Sequence, residues 1–343
     1  MGGTEIISVR NYFYFLKLPF WSNIQTFIFQ RFALGVVIGE ENFCNLGKYA
    51  SEIVPSLLEE KILKLCENLQ SEDQILVHRQ IALSRAAQEN KNPHVSALTN
   101  KEHAERIKIE KEFFAKIFKI SEELYSYNDY LFPGYFFEIS VLFHKHSLPY
   151  VFPPKELEKI RQKDVIDVGG WVGDSAVMLE REFCDKTIYS FEPASKNFAL
   201  MQRTLKLNHS KRVVPVNKGL GSKNEHLKIS CNSGSSSILY ETNAEKETIA
   251  ITTLDDFVAE HGIEVGFIKV DIEGFEQHFL AGAKKTICTQ KPALLISIYH
   301  SGDDYFNIKP LIESWNLGYQ MRIYKGTDMA LSIDTALYCY IPS

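Results

Sequence analysis

At 343 residues, 45% hydrophobic and 24% charged, the chain has the mixture of an ordinary globular protein and is long enough for one large domain or two ordinary ones. A formal net charge of −5, with no basic stripe interleaved with aromatics, gives no electrostatic reason to bind DNA or RNA. The six cysteines lack C-x-x-C spacing, which argues against a disulfide framework or a zinc site and fits a reducing cytoplasm.

Residues 11–29 are rich in Tyr, Phe and Trp, but Lys17, Pro19, Asn23 and Gln25 interrupt them and no small-residue cleavage site follows. Neither a signal peptide nor a membrane span is expected, although a helix lying on a membrane surface is compatible with this composition. Apolar residues recur at helical spacing over 55–88 and 100–124. Lys91-Asn92-Pro93 separates the two stretches and Phe132-Pro133-Gly134 closes the region. A mainly helical region over residues 1–135 is therefore expected, followed by a second region over 136–343.

After Phe152-Pro153-Pro154, short β-branched runs alternate with helical stretches, the pattern of a parallel sheet covered on both faces. The first run, 165–168, leads into a turn punctuated by Gly169, Gly170 and Gly173 and then into a helix. The next strand ends in Ser190-Phe-Glu-Pro193, with Glu192 placed 19 positions after Gly173. That is about the spacing, ~20 residues, at which an acid grips ribose hydroxyls, so an adenosine ligand is expected. A dinucleotide site needs a bare G-x-G-x-x-G turn for its pyrophosphate. Here the spacing is G-G-x-x-G, Asp167 precedes it, and Asp174 stands at the helix start. Two carboxylates repel phosphate but attract the ammonium and sulfonium of S-adenosylmethionine. Helix capping is the plainer reading of Asp174 and Ser175.

Further along, helices are expected at 195–207, 254–261, 275–287 and 305–315, and strands at 212–216, 266–270 and 293–298. Between them, 221–247 reads as a polar excursion. The segments 319–324 and 336–341 read as an antiparallel hairpin. The fold class is thus α/β: a mostly parallel Rossmann-like sheet of the class I methyltransferase kind, with an antiparallel C-terminal strand and a mainly helical N-terminal region.

Together, the 165–175 turn, Phe191-Glu-Pro193, Thr253-Leu-Asp-Asp-Phe257, Ile268-Lys-Val-Asp-Ile-Glu-Gly-Phe-Glu276 and Lys291-Pro292 resemble FkbM-type S-adenosylmethionine-dependent methyltransferases over about residues 135–343. The resemblance implies S-adenosyl-L-methionine as cofactor and O-methylation of a sugar, glycolipid or polyketide hydroxyl. It places Asp167, Gly169 and Gly173 at the methionine portion, with Gly170, Asp174 and Ser175 beside them. It gives Glu192 to the ribose, and Asn217, Gly219 and Leu220 to the adenine side. The bulky Trp171 departs from the family pattern, and the N-terminal helices have no counterpart in it.

Methyl transfer is an in-line displacement, so the protein must align the acceptor oxygen and remove its proton. Asp271, Glu273, Tyr299, His300 and Asp303 stand at strand ends where a base is needed. His300 is favoured as the base because an ordinary imidazole titrates near ~6.5. Asp271 would orient it or bind the acceptor, and Glu273 would cap the following helix. A divalent ion held by Asp271, Glu273, His300 and Asp303 is an alternative, but no metal is assigned. The hydroxyl-rich loop 232–238 either closes over a sugar or is a polar turn. A cytoplasmic O-methyltransferase acting on a small-molecule or glycan acceptor is expected. Its rivals are an amine methyltransferase, disfavoured because Asp271-Ile-Glu-Gly274 stands where Asp/Asn-Pro-Pro-Tyr would, and an inactive scaffold partnering a glycan-biosynthesis enzyme.

Overall fold

The computed structural model describes residues 46–89, 98–229, 246–328 and 330–342, with the backbone alone of 36–37, 94–95, 230–231, 236–237 and 245. The aromatic run 11–29, the break at 91–93 and the side chains of loop 232–238 lie outside the described residues.

Helices α1 (Leu46–Glu52), α2 (Pro55–Cys66), α3 (Ser71–Glu89) and α4 (Asn100–Glu112) come first. Pro55 opens α2, where its fixed φ suits the first helical turn and its missing N–H costs nothing. Thr99 and Glu102 close a reciprocal capping box on α4. The helix expected to reach residue 124 stops at Glu112, and an antiparallel meander follows: β1 (Ile117–Ser121), β2 (Leu124–Tyr127) and β3 (Tyr130–Phe132). The physical reason is visible in Ile117-Phe-Lys-Ile-Ser121, where β-branched and aromatic residues favour a pleated strand, and in Asn128, whose φ of 49° makes the second turn.

A helix α5 (Pro154–Arg161) leads into the alternating part. It runs β4 (Asp164–Val168), α6 (Asp174–Glu182), β5 (Ile188–Phe191), α7 (Ser195–Leu207), β6 (Val213–Val216), β7 (Gly219–Leu220), β8 (Glu225–Cys231) and β9 (Glu245–Thr252). Then come α8 (Leu254–His261), β10 (Val265–Val270), α9 (Glu276–Gln290), β11 (Ala293–Ser297), α10 (Gly302–Glu313), β12 (Gln320–Tyr324) and β13 (Ala336–Tyr340). Seven strands form one sheet in the order β12-β13-β11-β10-β4-β5-β6, and β13 alone runs antiparallel to its neighbours. This is the Rossmann-like class I methyltransferase sheet. The chain order reverses at β4 and β10, so a crevice opens at their carboxyl ends.

The stretch 221–247 is not merely an excursion. Strands β8 and β9 pair antiparallel from Glu225↔Ile251 to Cys231↔Glu245, and β7 joins β9 in parallel. Their buried Ile229, Ile249 and Ile251 close on Ala194, and the intervening Lys and Glu residues masked that period in the sequence.

Successive residues of the central strands point to opposite faces. Ile166, Val168, Ile268, Val270, Leu294 and Ile296 pack in one core with α1–α3 and α8–α10, while Val165, Phe267, Leu295 and Tyr338 pack in the other with the meander and α6. The N-terminal helices are bound to the sheet by polar contacts as well. Arg322 on β12 grips Asp73 with Nε and Nη2 at 2.6 and 2.9 Å, and Tyr305 on α10 donates to Gln80 at 2.7 Å.

Candidate active site

A cleft with about 1000 Å³ of empty space lies over the carboxyl ends of β4, β5 and β10. Its floor is the glycine turn. Gly169 adopts φ +82°, and a Cβ there would stand 1.9 Å from the Asp271 carbonyl oxygen. Only glycine lets the two strand ends approach so closely. Trp171, with φ 44°, comes two residues later; its ring packs edge-on against Phe136 and its backbone N–H donates to Glu192 at 3.0 Å.

Six of the ten residues expected at the cofactor line the cleft: Gly169, Asp174, Ser175, Glu192, Gly219 and Leu220. Four do not, each for a structural reason. Asp167 sits one register step below the strand end, fully buried, in a polar row that crosses three strands. It accepts from the Ser190 hydroxyl at 2.6 Å and meets the Lys269 ammonium at 3.2 Å. It therefore braces the turn from behind. Gly170 gives its Cβ position to Ser190 and Met201, and Gly173 packs on Met201. Asn217 donates to the carbonyls of Glu192 and Pro193, shaping the rim without facing the cleft.

The carboxylates that remain suit a cationic, ribose-bearing ligand. Asp174 is 3% exposed, and its Oδ2 has no hydrogen-bond partner among the described residues. Burial pushes its carboxyl up to about 6, a cost that an ammonium partner would relieve. Glu192 accepts from the N–H groups of Trp171 and Ala194 and keeps lone pairs for hydroxyls, while burial raises it to about 7. The helix α6 is capped by Gly173, not by Asp174 or Ser175. The Ser175 hydroxyl instead meets Nε2 of the buried His146 at 2.8 Å. The buried carboxylates of Asp174 and Glu192 are thus of the kind that fits the amino group and ribose hydroxyls of S-adenosylmethionine.

On the other side of the cleft, Asp271, Glu273 and Tyr299 line the wall. His300 does not, and this corrects the expectation of an ordinary, accessible imidazole. It is 2% exposed, with Nδ1 2.9 Å from Glu276 and Nε2 3.2 Å from Asp271 and 3.9 Å from Glu273. Burial opposes its charge, but Glu276 and Asp271 outweigh it and hold the imidazolium well above the usual histidine range. Asp271 is only partly buried, and His300 and Lys269 outweigh the desolvation and pull its carboxyl down to about 2. The helix-start role expected of Glu273 belongs to Glu276, which is fully buried and accepts from the Ile272 N–H at 3.0 Å. Asp271, Glu276 and His300 come within 4.8 Å of one another. They engage opposite nitrogens of one ring, however, so an ion on either nitrogen faces only one of these carboxylates. Asp303 lies apart, bonded to Gln277 and Asn307.

Sequence reasoning missed Lys269, Glu276 and His146. The first two stand inside the Lys-Val-Asp-Ile-Glu-Gly-Phe-Glu element that drew attention, whereas nothing local marks His146. Lys269 donates to the Gly169 carbonyl at 2.7 Å. Burial would lower its basicity, but Asp167, Asp271 and Asp174 hold its ammonium above the ordinary lysine value.

Residues 167–321 match the family model of the methyltransferase FkbM domain. A curated relative, "Methyltransferase 1" of Beauveria bassiana (strain ARSEF 2860), is 26% identical over 174 residues, covering 44% of this chain and 70% of its own. Among solved structures, a methyltransferase FkbM from Methylobacillus flagellatus KT is similar at 25% identity and TM-score 0.41, over 52% of this chain and 43% of that one. The chain thus spans less than half the length of that protein. A Streptococcus mutans protein solved in complex with SAH matches 55% of this chain and 98% of its own, at 13% identity and TM-score 0.33. Residues 167–321 thus carry the sequence pattern of a methyltransferase domain of the FkbM type, whose cofactor is S-adenosylmethionine.

Proposed function

We propose that the protein is an O-methyltransferase that acts on a hydroxyl of a saccharide, glycolipid or related secondary-metabolite acceptor. The observation that carries this reading is the division of one cleft. Asp174 and Glu192 stand on the side suited to the donor, and Asp271 with Glu273 and Tyr299 on the side left for the acceptor. S-adenosylmethionine supplies the electrophilic methyl group. Asp271 binds a second hydroxyl of the acceptor and so aligns the reacting oxygen, and His300 is a positioning residue that fixes the carboxylate from behind. Trp171 and Tyr299 offer flat apolar faces of the kind sugars pack against.

Further parts of this reading are supported by the sequence and by the packing. The negative net charge supports a small-molecule or glycan acceptor over nucleic acid, and the cysteine pattern supports a cytoplasmic setting. No helix of the described residues is long and apolar enough to cross a membrane. The regions 1–135 and 136–343 are proposed to work together, since helices of the first cover the sheet of the second.

The test is incubation with methyl-labelled S-adenosylmethionine and a saccharide and glycolipid extract. Label in an alkali-stable methyl ether supports the proposal. Label released as methanol by mild alkali, or retained on an amine, overturns it.

A further inference from the structure

Glu273 is bent into a conformation that its side chain disfavours. Its φ is 57°, in the left-handed region that costs a non-glycine residue roughly 1–2 kcal/mol, and Gly274 follows at φ 96°. The two residues make the turn that leads into helix α9, where the Phe275 N–H donates to the Ile272 carbonyl at 3.3 Å. The same bend sets the Glu273 carboxylate on the cleft wall beside Asp271 and Tyr299, 3.9 Å from His300 Nε2.

We propose that Glu273 is the general base of methyl transfer, and that the positive charge of the bound sulfonium sets its protonation state. The inference rests on the methyl-transfer reading above. As the acceptor oxygen bonds the methyl carbon, the carbon–sulfur bond breaks and its electron pair stays on sulfur. The hydroxyl proton passes to a Glu273 carboxylate oxygen and leaves through the open cleft. Charge balances: one positive charge disappears from sulfur as one negative charge disappears from Glu273.

Its surroundings agree. Burial raises the Glu273 carboxyl to about 7, and the charges of Asp271 and Glu276 add to this, while His300 opposes them. Tyr299, kept neutral chiefly by burial, and Glu138, whose carboxyl burial also raises, are further titratable groups of the same cleft. A base is most effective near the working pH. Asp271, held down to about 2, and His300, already protonated, are poorer proton acceptors.

The test needs no acceptor. Calorimetry at pH 7, in buffers of different ionisation enthalpy, counts protons released when S-adenosylmethionine or S-adenosylhomocysteine binds. Asp174 and Glu192 respond to features the two ligands share, so the difference between the ligands reports on groups near the sulfur. Wild type should release up to about half a proton more with the sulfonium ligand. Glu273→Gln should bind both ligands and lose the difference. An equal release with both ligands in the wild type, or an undiminished difference in Glu273→Gln, overturns the assignment. Absence of binding by either ligand refutes the methyl-transfer reading instead. Should the variant not fold, a carbon-detected carboxyl titration of the wild type decides. One glutamate midpoint near 7 should fall with S-adenosylmethionine and not with S-adenosylhomocysteine, and no such glutamate would overturn the proposal.

Discussion

At the scale of single residues, the cleft is governed by which charges are compensated. His300 holds together three carboxylates that would otherwise repel, so His300→Ala should strand the fully buried Glu276. Removing one partner of a buried pair costs about 3–5 kcal/mol, which urea unfolding would report. The sign with pH follows from a raised folded value. The stabilisation is fully present below the unfolded histidine value of ~6.5 and fades as pH climbs through the higher folded one, so wild type and variant should converge in alkali. Asp271 contributes the opposite way: its stabilisation is present above ~3.9 and is lost as pH falls through about 2. On the donor side, Asp174→Asn should weaken S-adenosylmethionine binding about 10- to 100-fold, the worth of one charge-assisted hydrogen bond at ~1.5–3 kcal/mol. Much of this was legible in the sequence: Asp174, Glu192 and Asp271 all line the cleft. Asp167 was misplaced because the side chains before a glycine turn alternate, and only the register shows that residue 167 points into the sheet's polar row. The protonation of His300 could not be read either, since Glu276 reaches it only after a strand and a helix have folded.

At the scale of elements, the glycine turn and the strand end it touches act as one unit. Gly169→Ala would drive a Cβ into the Asp271 carbonyl, at a position whose φ of +82° already disfavours alanine. It should abolish cofactor binding and lower the melting temperature by more than Gly262→Ala. The latter changes a left-handed helix cap, φ +63°, with nothing within 4 Å, and should cost only about 1 kcal/mol. Equal effects of the two substitutions on stability would show that the close approach does not matter. Elements with a clear period were read well: the helices over 195–207 and 254–261 stand where the spacing put them. The meander at 117–132 and the β8–β9 pair were not. The meander's strands are only three to five residues long and those of the β8–β9 pair interleave Lys and Glu with their apolar residues, so their period-two signal is weak, and strand pairing supplies the stability that local pattern does not show.

For the whole molecule, the sheet depends on the N-terminal helices. Leu46, Leu58, Leu65, Val77 and Ile81 are buried in the same core as Ile296, Ile308 and Leu337, and Arg322 is spent on Asp73. A chain beginning at residue 98 would expose that face of the sheet, so it should lose cooperative unfolding and aggregate; a sharp thermal transition would contradict this. The same packing places the cleft on a buttressed scaffold, with donor and acceptor groups held by different strand ends of one sheet. The most direct measurement is calorimetric titration of the full chain at neutral pH with S-adenosylmethionine and, separately, with NAD. Binding of S-adenosylmethionine with a dissociation constant between about 1 μM and 1 mM, weakened in Asp174→Asn, together with silence toward NAD, is the predicted result. Heat with NAD and none with S-adenosylmethionine would contradict it.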